Sequence, residues 1–230
     1  MTSKPVYNRR ERPAKPALTR EGIIATALSV MRAEGIERVT MRRLAAELDT
    51  GPASLYVYVK DTEELHAAML DELLADVVLK PRRVRGGWRE RLWVVLSSYR
   101  DVLYANPSLA RVALATRLSG PHYLSILDAI LGLLSEGDLA PERAAWAVDT
   151  LLLVATASAV EHGTRREKPG AEAEHDALAE TVSNASAESF PHIAALGADL
   201  VSGAGIERSR WAFDVLLNGA LGTPRPAKDS

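Results

Sequence analysis

Side chains that donate hydrogen bonds are concentrated between Thr40 and Thr62, in the stretch TMRRLAAELDTGPASLYVYVKDT. Hydroxyl, phenol and guanidinium groups of this kind bind phosphate oxygens and the edges of nucleic-acid bases. No residue from Gly51 to Lys60 is acidic, so no carboxylate there repels a polyanion. The chemistry that this stretch favours is therefore noncovalent binding of a nucleic acid.

Two short helices joined by a tight turn are predicted to position these groups. Thr40 supplies an N-cap oxygen ahead of an apolar run. The first helix buries one stripe at helical spacing, formed by Met41, Leu44, Ala45 and Leu48. Residues 49–52 (DTGP) end this helix, because Asp and Gly tolerate a left-handed backbone and Pro suits a first helical turn. In the second helix, Leu55 and Val59 are expected to face inward.

The outward face of the second helix combines small residues, a hydroxyl and an aromatic ring: Pro52, Ala53, Ser54, Val57 and Tyr58. Small side chains let a helix lie deep in the major groove, where base edges present a readable pattern. This predicts a helix-turn-helix whose second helix reads the DNA, although an ordinary helical hairpin has the same spacing. The predicted DNA-contacting residues are Thr40, Arg42, Arg43, Pro52, Ala53, Ser54, Tyr56, Val57, Tyr58, Lys60 and Thr62.

The run ERVTMRRLAAEL…ASLYVYVKDTEELHAAML resembles the N-terminal domain of the TetR family of transcriptional regulators, and the resemblance is strong over residues 19–74. It implies an Ω-shaped homodimer of all-helical subunits, each with a DNA-binding head and a ligand-binding body. One departure concerns the turn, where Asp49-Thr50 replaces the Gly-Val usual in the family.

Composition and charge agree with a helical protein that touches DNA at one end. Hydrophobic residues make up 47% of the 230 residues, and only two are Phe, which argues against a β protein. Residues 1–62 hold 11 Lys and Arg against 7 Asp and Glu, a net charge of +4, while the remainder carries −6. The expected fold is all-α, with an N-terminal three-helix helix-turn-helix domain and a larger helical domain for ligand binding and dimerisation.

Neither secretion nor membrane insertion is expected. The chain has no Cys, and its basic N-terminal segment lacks the apolar core of a signal peptide. The longest uncharged apolar stretch, 150–160, is about half the ~20 residues that a membrane span needs. We therefore expect a soluble cytoplasmic protein with no membrane partner.

Four segments are predicted along the chain. Residues 1–17 form a disordered basic arm, which either lies along the DNA or serves only as a solubilising tail. Residues 18–79 form the DNA-binding domain with a connecting helix over 61–79, which would link the head to the body. Residues 80–222 form the effector-binding and dimerisation domain, and residues 223–230 a disordered tail.

In the second domain, the helix that begins at Pro141 and runs to about Glu161 is apolar on most of its circumference, which predicts contacts on more than one side. Residues 163–175 are expected to form a mobile loop, and the last helix to run from about Glu207 to Leu221. By resemblance, these two helices of each subunit form a four-helix dimer interface. The interface residues assigned in this way are Leu152, Thr156, Val160, Phe213, Leu216, Leu217 and Ala220.

No catalytic or metal-binding pattern is apparent. None of the five His residues pairs with another at a metal-ligand spacing such as HExxH, and neither GxSxG nor a P-loop occurs. The sequence therefore predicts no catalytic residue, no metal site and no cofactor.

A small-molecule pocket is predicted instead, from polar and aromatic residues in otherwise apolar helices. The candidates are Trp93, Tyr99, Thr116, Arg117, His122, Tyr123, Trp146 and Thr150, each of which core packing or surface exposure could equally explain. The body also resembles the tetracycline-repressor subgroup, through ATRLSGPHY and FDVLLNGAL. Positions that bind drug or metal in that subgroup fall on apolar residues here: Val77, Val95 and Ala113. The resemblance thus implies a hydrophobic effector without a magnesium chelate.

The function predicted is a dimeric regulator of transcription, most often a repressor in this family, released from a palindromic operator by a small hydrophobic molecule. Two alternatives remain open from the sequence. One is a helical small-molecule-binding protein or enzyme with a vestigial head, and the other is a DNA-binding dimer that needs no ligand.

Overall fold

The computed structural model describes residues 17–81, 86–203 and 205–226, and every regular element within these ranges is helical. The predicted all-α fold is confirmed. The chain separates into two compact units, with the division between Thr62 and Glu63. The basic arm predicted for residues 1–17 lies outside the described residues except for its last residue.

The first unit contains three helices: α1 (Arg20–Glu34), α2 (Met41–Glu47) and α3 (Pro52–Leu55). Thr19 begins α1, since its Oγ1 accepts a hydrogen bond from the Gly22 amide at 3.0 Å. Gly35 ends α1 with a φ of +91°, which an L side chain rarely adopts. The core of this unit consists of Ile23, Ile24, Ala27, Leu28, Val30, Val39, Met41, Leu44, Ala45, Leu55 and Val59.

The second unit is built on a further nine helices within the described ranges. They are α4 (Thr62–Leu73), which starts at the unit boundary, α5 (Trp88–Ala105), α6 (Pro107–Ala115), α7 (Pro121–Glu136), α8 (Pro141–Glu167), α9 (Ala171–Ser183), α10 (Pro191–Leu196), α11 (Ala198–Val201) and α12 (Gly205–Gly222).

The connecting helix is shorter than the sequence predicts. α4 gives way to a single 3-10 turn at Leu74–Asp76, and Val77 is extended and buried. The amide of Val78 donates to Ser98 Oγ at 2.9 Å, a bond that a continuing helix could not make. The helix predicted over 61–79 therefore ends about one turn early, because the chain turns there to pack on α5.

The longest helix, α8, lies at the centre of the second unit and packs against α5, α6, α7 and α12. Its inward side is made of small and branched apolar residues: Ala144, Ala147, Val148, Leu151, Leu152 and Ala159. By length and composition alone α8 is apolar enough to cross a membrane, a test that core helices also pass. Packing of four helices against α8 accounts for the apolar residues on its inward side.

Residues 163–175 were expected to form a mobile loop, and here the prediction is wrong. α8 continues to Glu167, and α9 begins at Ala171. Gly163 lets α8 approach α6 closely, since a Cβ there would lie 2.9 Å from Pro107 Cγ. The Arg166 guanidinium also lies 4.3 Å from the centre of the Tyr104 ring. These contacts hold the last two turns of α8 in helical form.

The C-terminal tail is described as far as Pro226, and its first residues lie against α8. The Arg225 guanidinium sits 4.2 Å from the centre of the Trp146 ring. Its Nη1 donates to the Glu142 carbonyl oxygen at 3.4 Å. Part of the segment predicted to be disordered over 223–230 therefore has a defined place.

A buried carboxylate joins α4 to α7. Asp71 accepts hydrogen bonds from the amides of Tyr123, at 2.9 Å, and His122, at 3.3 Å, in the first turn of α7. Two otherwise unpaired N–H groups of the helix are satisfied in this way, and the negative charge meets the positive end of the helix dipole. Gly120 is required beside it, because a Cβ there would overlap the Asp71 carboxylate.

Replacing Gly120 with Ala is expected to lower the free energy of unfolding by roughly 1–3 kcal/mol, because the added methyl group displaces Asp71 from the α7 amides. Gly132→Ala is the matched control, since a Cβ there meets nothing within 4 Å and Ala favours the helix by ~0.5–1 kcal/mol. Urea unfolding followed by circular dichroism measures both. Equal stability of the two variants would contradict the close approach.

Candidate DNA-binding surface and effector pocket

The short helix α3 presents an outward surface, as the sequence predicts. Leu55 and Val59 are fully buried and anchor it from behind. The exposed side chains in front are Pro52, Ala53, Ser54, Tyr56 and Val57, with Tyr58 half-buried. Val57 is 80% exposed and Tyr56 54% exposed, although both are large and apolar or aromatic. Such exposure is expected of side chains whose partner is another molecule.

The turn before α3 has the geometry predicted from DTGP. Asp49 has a φ of +48°, within the left-handed region that Asp tolerates. The Thr50 amide donates to the Ala45 carbonyl oxygen at 2.8 Å, which gives a carbonyl group at the C-terminal end of α2 a hydrogen-bond partner. At the other end of α2, Thr40 Oγ1 accepts from the Arg43 amide at 3.1 Å. The substitution of Asp49-Thr50 for Gly-Val thus leaves a normal helix-turn-helix.

The two arginines of α2 differ in what they contact. Arg42 is exposed, and within the described ranges its side chain makes no hydrogen bond or ion pair. Arg43 instead bonds to Glu34 at 2.6 Å and to Glu47 at 2.7 Å. The hydrogen bond from Arg43 holds the pKa of Glu34 below its usual range, and the pKa of Arg43 is raised in turn.

Arg43 therefore acts as a brace between α1 and α2. Its guanidinium is paired with two carboxylates, whereas Arg42 has no such pair within the described residues. Contact of both arginines with DNA stays a prediction.

The eight residues predicted to form one pocket lie in four separate places. Trp93 lines a groove between α5, α8 and α12. Tyr99 is buried within the core, where its hydroxyl lies 2.8 Å from Thr156 Oγ1. Burial raises the pKa of Tyr99 to about 12. Trp146 and Thr150 lie on the exposed side of α8, in a shallower groove beside α12.

The remaining four lie near the start of α7. Thr116 Oγ1 donates to Glu63 Oε1 at 3.0 Å. His122 and Tyr123 contact Asp71 through their backbone amides, and burial raises the pKa of the Tyr123 phenol. Arg117 is exposed. These residues connect α4, α6 and α7 and do not converge on a cavity with Trp93.

The groove beside Trp93 has a cavity of about 290 Å³ and an aromatic floor. The rings of Trp93 and Phe213 are 5.4 Å apart and inclined at 57°. Arg210 packs over both rings, at 5.2 and 5.5 Å, and bonds to Glu90 at 2.9 Å, which holds α12 against α5. Three residues at the polar end that the sequence did not single out are Arg100, His162 and Arg208. Helical spacing between Trp93 and Arg100 could have revealed the first of them.

The assignment of the dimer interface also needs correcting. Four of the seven assigned residues are buried in their own subunit: Leu152, Thr156, Phe213 and Leu217. A side chain enclosed within its own subunit presents no surface to a second copy. The large apolar residues that α8 and α12 do expose are Trp146, Leu153, Val154, Ile206, Trp211 and Val215. Dimerisation through these two helices stays a prediction.

Within residues 17–81, 86–203 and 205–226, no three His, Asp or Glu side chains are grouped so that they could hold a metal ion. The exposed polar groups found there are suited to hydrogen bonding and to charge pairing.

Comparison with known protein families shows which family this chain matches. Residues 23–69 match the family described as bacterial regulatory proteins, tetR family, and residues 80–219 match the tetracyclin repressor-like C-terminal domain. The chain belongs to the TetR family. The first match includes α2 and α3, and the second includes every helix that lines the Trp93 groove.

Two solved structures resemble most of the chain. SCO7704 from Streptomyces is 47% identical, with a TM-score of 0.78, and the match covers 94% of this chain and 100% of that one. ActR from Streptomyces coelicolor, solved in complex with actinorhodin, is 32% identical with a TM-score of 0.79, over 90% of this chain and 96% of ActR.

Curated TetR-family relatives match over a shorter stretch. The transcriptional repressor DrrR1 of Streptomyces coeruleorubidus is 33% identical over 126 residues, which is 55% of this chain and 47% of DrrR1. The class C tetracycline repressor of Escherichia coli is 30% identical over 57% of this chain and 60% of the repressor. The chain therefore spans about half the length of the curated relatives that it matches.

Replacing Tyr99 with Phe is expected to remove part of the pH dependence of folding in this TetR-family body. Because burial favours the neutral phenol, Tyr99 contributes stability below pH ~10 that is lost as the pH rises through about 12. The variant also leaves the Thr156 hydroxyl without its partner, which lowers the free energy of unfolding at neutral pH by ~1–3 kcal/mol.

Urea unfolding of the wild type and the variant between pH 9 and 12 measures this effect. Tyr56→Phe is the matched control, because Tyr56 is exposed and should show neither change. Identical pH profiles for wild type and Tyr99→Phe would contradict the burial of the phenol.

Proposed function

We propose that this chain is a ligand-responsive, DNA-binding repressor of transcription that acts as a homodimer. One observation carries the proposal: the outward surface of α3 is small, exposed and free of carboxylates in a chain that belongs to the TetR family. Relatives whose names include the word repressor, DrrR1 among them, support the same function. These relatives are named as regulators rather than enzymes, and no catalytic role is proposed.

DNA binding is assigned to α3 and the residues around it. Pro52, Ala53 and Ser54 would face base edges in the major groove, since their small side chains permit close approach. Arg42 supplies a guanidinium that no carboxylate within the described residues balances. The flanking residues proposed to contact phosphates are Thr40, Tyr56, Tyr58, Lys60 and Thr62.

A homodimer would place two copies of α3 on one side of the duplex. The helices α8 and α12 supply its interface in this proposal, because together they expose Leu153, Val154, Trp211 and Val215. Burial of such residues is favourable by ~25 cal/mol per Å² of apolar surface. Two reader helices related by a two-fold axis require a palindromic operator with half-sites about one helical turn apart.

Effector control follows from a shift between two conformations of the dimer. An effector that binds more tightly to the form unsuited to the operator lowers the affinity for DNA, in proportion to that difference in affinity. The chain passes from the first unit to the second through α4, whose Asp71 and Glu63 bond to the start of α7 and to Thr116. Movement of these contacts is the proposed link to the head.

The domain limits derived from the sequence are retained as part of the proposal, with the DNA-binding domain at 18–79 and the effector-binding domain at 80–222. The two family matches, over 23–69 and 80–219, support this division. Contacts alone divide the chain earlier, after Thr62, because most of α4 packs with the second unit. A repressor of this kind acts on the chromosome, so we place it in the cytoplasm.

Replacing Arg42 with Ala is expected to weaken DNA binding by ~1–3 kcal/mol and to reduce the slope of log K against log salt concentration by about one, if the contact is to a phosphate. Replacing Tyr56 with Ala should also remove tight binding. Fluorescence anisotropy on a duplex selected from a random library by the wild-type protein measures both effects at several salt concentrations.

Arg32→Ala is the matched control, an exposed arginine on α1 outside the proposed surface. Circular dichroism and sedimentation establish that each variant remains a folded dimer. Wild-type affinity in the Arg42 and Tyr56 variants would overturn the assignment of this surface.

Replacing Leu153 with Glu is expected to shift the protein from dimer to monomer at micromolar concentration, because a carboxylate would be buried at the centre of the proposed interface. Sedimentation velocity measures the shift. Leu124→Glu on α7 is the matched control, since Leu124 is 54% exposed and Leu153 is 56% exposed. Dissociation of both variants, or of neither, would contradict the proposed face.

A further inference from the structure

The groove between α5, α8 and α12 has an aromatic end and a cationic end. Trp93 and Phe213 form its floor, and Leu96, Leu151 and Leu216 add apolar walls. One planar ring system could lie against the floor, because offset and tilted aromatic contacts at 4.5–7 Å are favourable. The floor therefore favours an aromatic ligand over a flexible aliphatic one.

The lining of the groove carries an excess of positive charge. Three guanidinium groups line it, from Arg100, Arg165 and Arg208, against the single carboxylate of Glu161. The Arg100 guanidinium lies at the aromatic end, 5.9 Å from the centre of the Trp93 ring. Arg165 pairs with Glu161 at 2.8 Å, and Arg100 pairs with Asp101 at 2.8 Å.

Arg208 differs from the other two arginines. Its Nη atoms reach only the Leu200 carbonyl oxygen, at 3.4 Å, and within residues 17–81, 86–203 and 205–226 it pairs with no carboxylate. Arg208 is exposed, and a guanidinium without a carboxylate partner remains available to an anion. Its fork geometry matches a carboxylate. The cationic end thus has one charge available for a ligand.

Two further polar groups face the same cavity. Ser97 Oγ is buried and has no hydrogen-bond partner among the described residues. Ser97 lies on α5 between Trp93 and Arg100, one turn from each, so the three share one face of the helix. His162 Nδ1 lies 2.8 Å from the Ser158 carbonyl oxygen and donates to it, which leaves Nε2 for another partner. A polar group of a ligand could supply the hydrogen-bond partner that the Ser97 hydroxyl lacks.

We propose that this groove binds an aromatic carboxylic acid of about two fused rings, with the rings against Trp93 and Phe213 and the carboxylate toward Arg208. The proposal rests on the proposed function, in which the second domain binds an effector, and it names the chemical class of that effector. A cavity of about 290 Å³ is at the small end of ligand sites, which sets the size. The sequence predicts a hydrophobic effector, and the proposal adds a negatively charged carboxylate to it.

Isothermal titration calorimetry of the full-length protein with two matched probes tests the proposal. The probes are 2-naphthoic acid and 2-naphthamide, which have the same rings and differ in charge. The wild type is expected to bind the acid at least about tenfold more tightly than the amide, because a charge-assisted hydrogen bond is lost with the amide. Equal affinities, or no binding of the acid, would overturn the proposal.

Variants assign the preference to this groove. Arg208→Gln is expected to abolish the tenfold preference while retaining binding of the amide, and Ser97→Ala to weaken both probes. Arg32→Gln is the matched control, because Arg32 is exposed on α1 and lines none of the grooves described above. A preference that survives in Arg208→Gln, or is lost in Arg32→Gln, overturns the assignment. Thermal melts establish that each variant is folded.

The outcome is separable from that of the proposed function. DNA binding is measured on the selected duplex without any probe. If the protein did not bind DNA, the proposed function would be refuted, and calorimetry would still determine which ligand class the groove binds. Intact DNA binding with no preference for the acid would instead remove only the present inference.

Discussion

Burial of one side of α8 against four neighbouring helices is the constraint on which the second domain depends. That side holds the core, and it also places Thr156 against the Tyr99 hydroxyl at 2.8 Å. The other side remains apolar, with Leu153 and Val154 exposed. Burial of the exposed apolar side requires a second apolar surface. In a two-fold symmetric dimer, the same side of α8 from the partner subunit would provide that surface. In the proposed dimer, one helix would therefore serve both core packing and dimerisation.

In the first domain, the position of α3 also depends on the elements packed behind it. α3 has only four residues, and its one buried side chain, Leu55, holds its inner side together with Val59 from the segment that follows. Everything else on it faces outward, so its position depends on the elements behind it. Arg43 contributes to this by joining α1 and α2 through Glu34 and Glu47. These two ion pairs help to fix the helices that support α3.

Local features could be predicted from the sequence because they depend on neighbouring residues. Caps, breakers and the apolar stripe that define α2 and α3 all lie within 22 residues, from Thr40 to Asp61. The grooves could not be predicted, because they join residues such as Trp93 and Phe213 that are distant in sequence. The inward side of α8 could not be predicted either. Apolar residues occur nearly all round this helix, so no polar stripe marks its outward side.

The central claim is that two copies of α3 lie in successive major grooves on one face of a duplex. Hydroxyl-radical footprinting of the wild-type protein on a selected duplex tests it most directly. The account predicts two protected patches related by a two-fold axis, with centres ~10 base pairs apart. A single protected patch, or two patches on opposite faces of the helix, would contradict it.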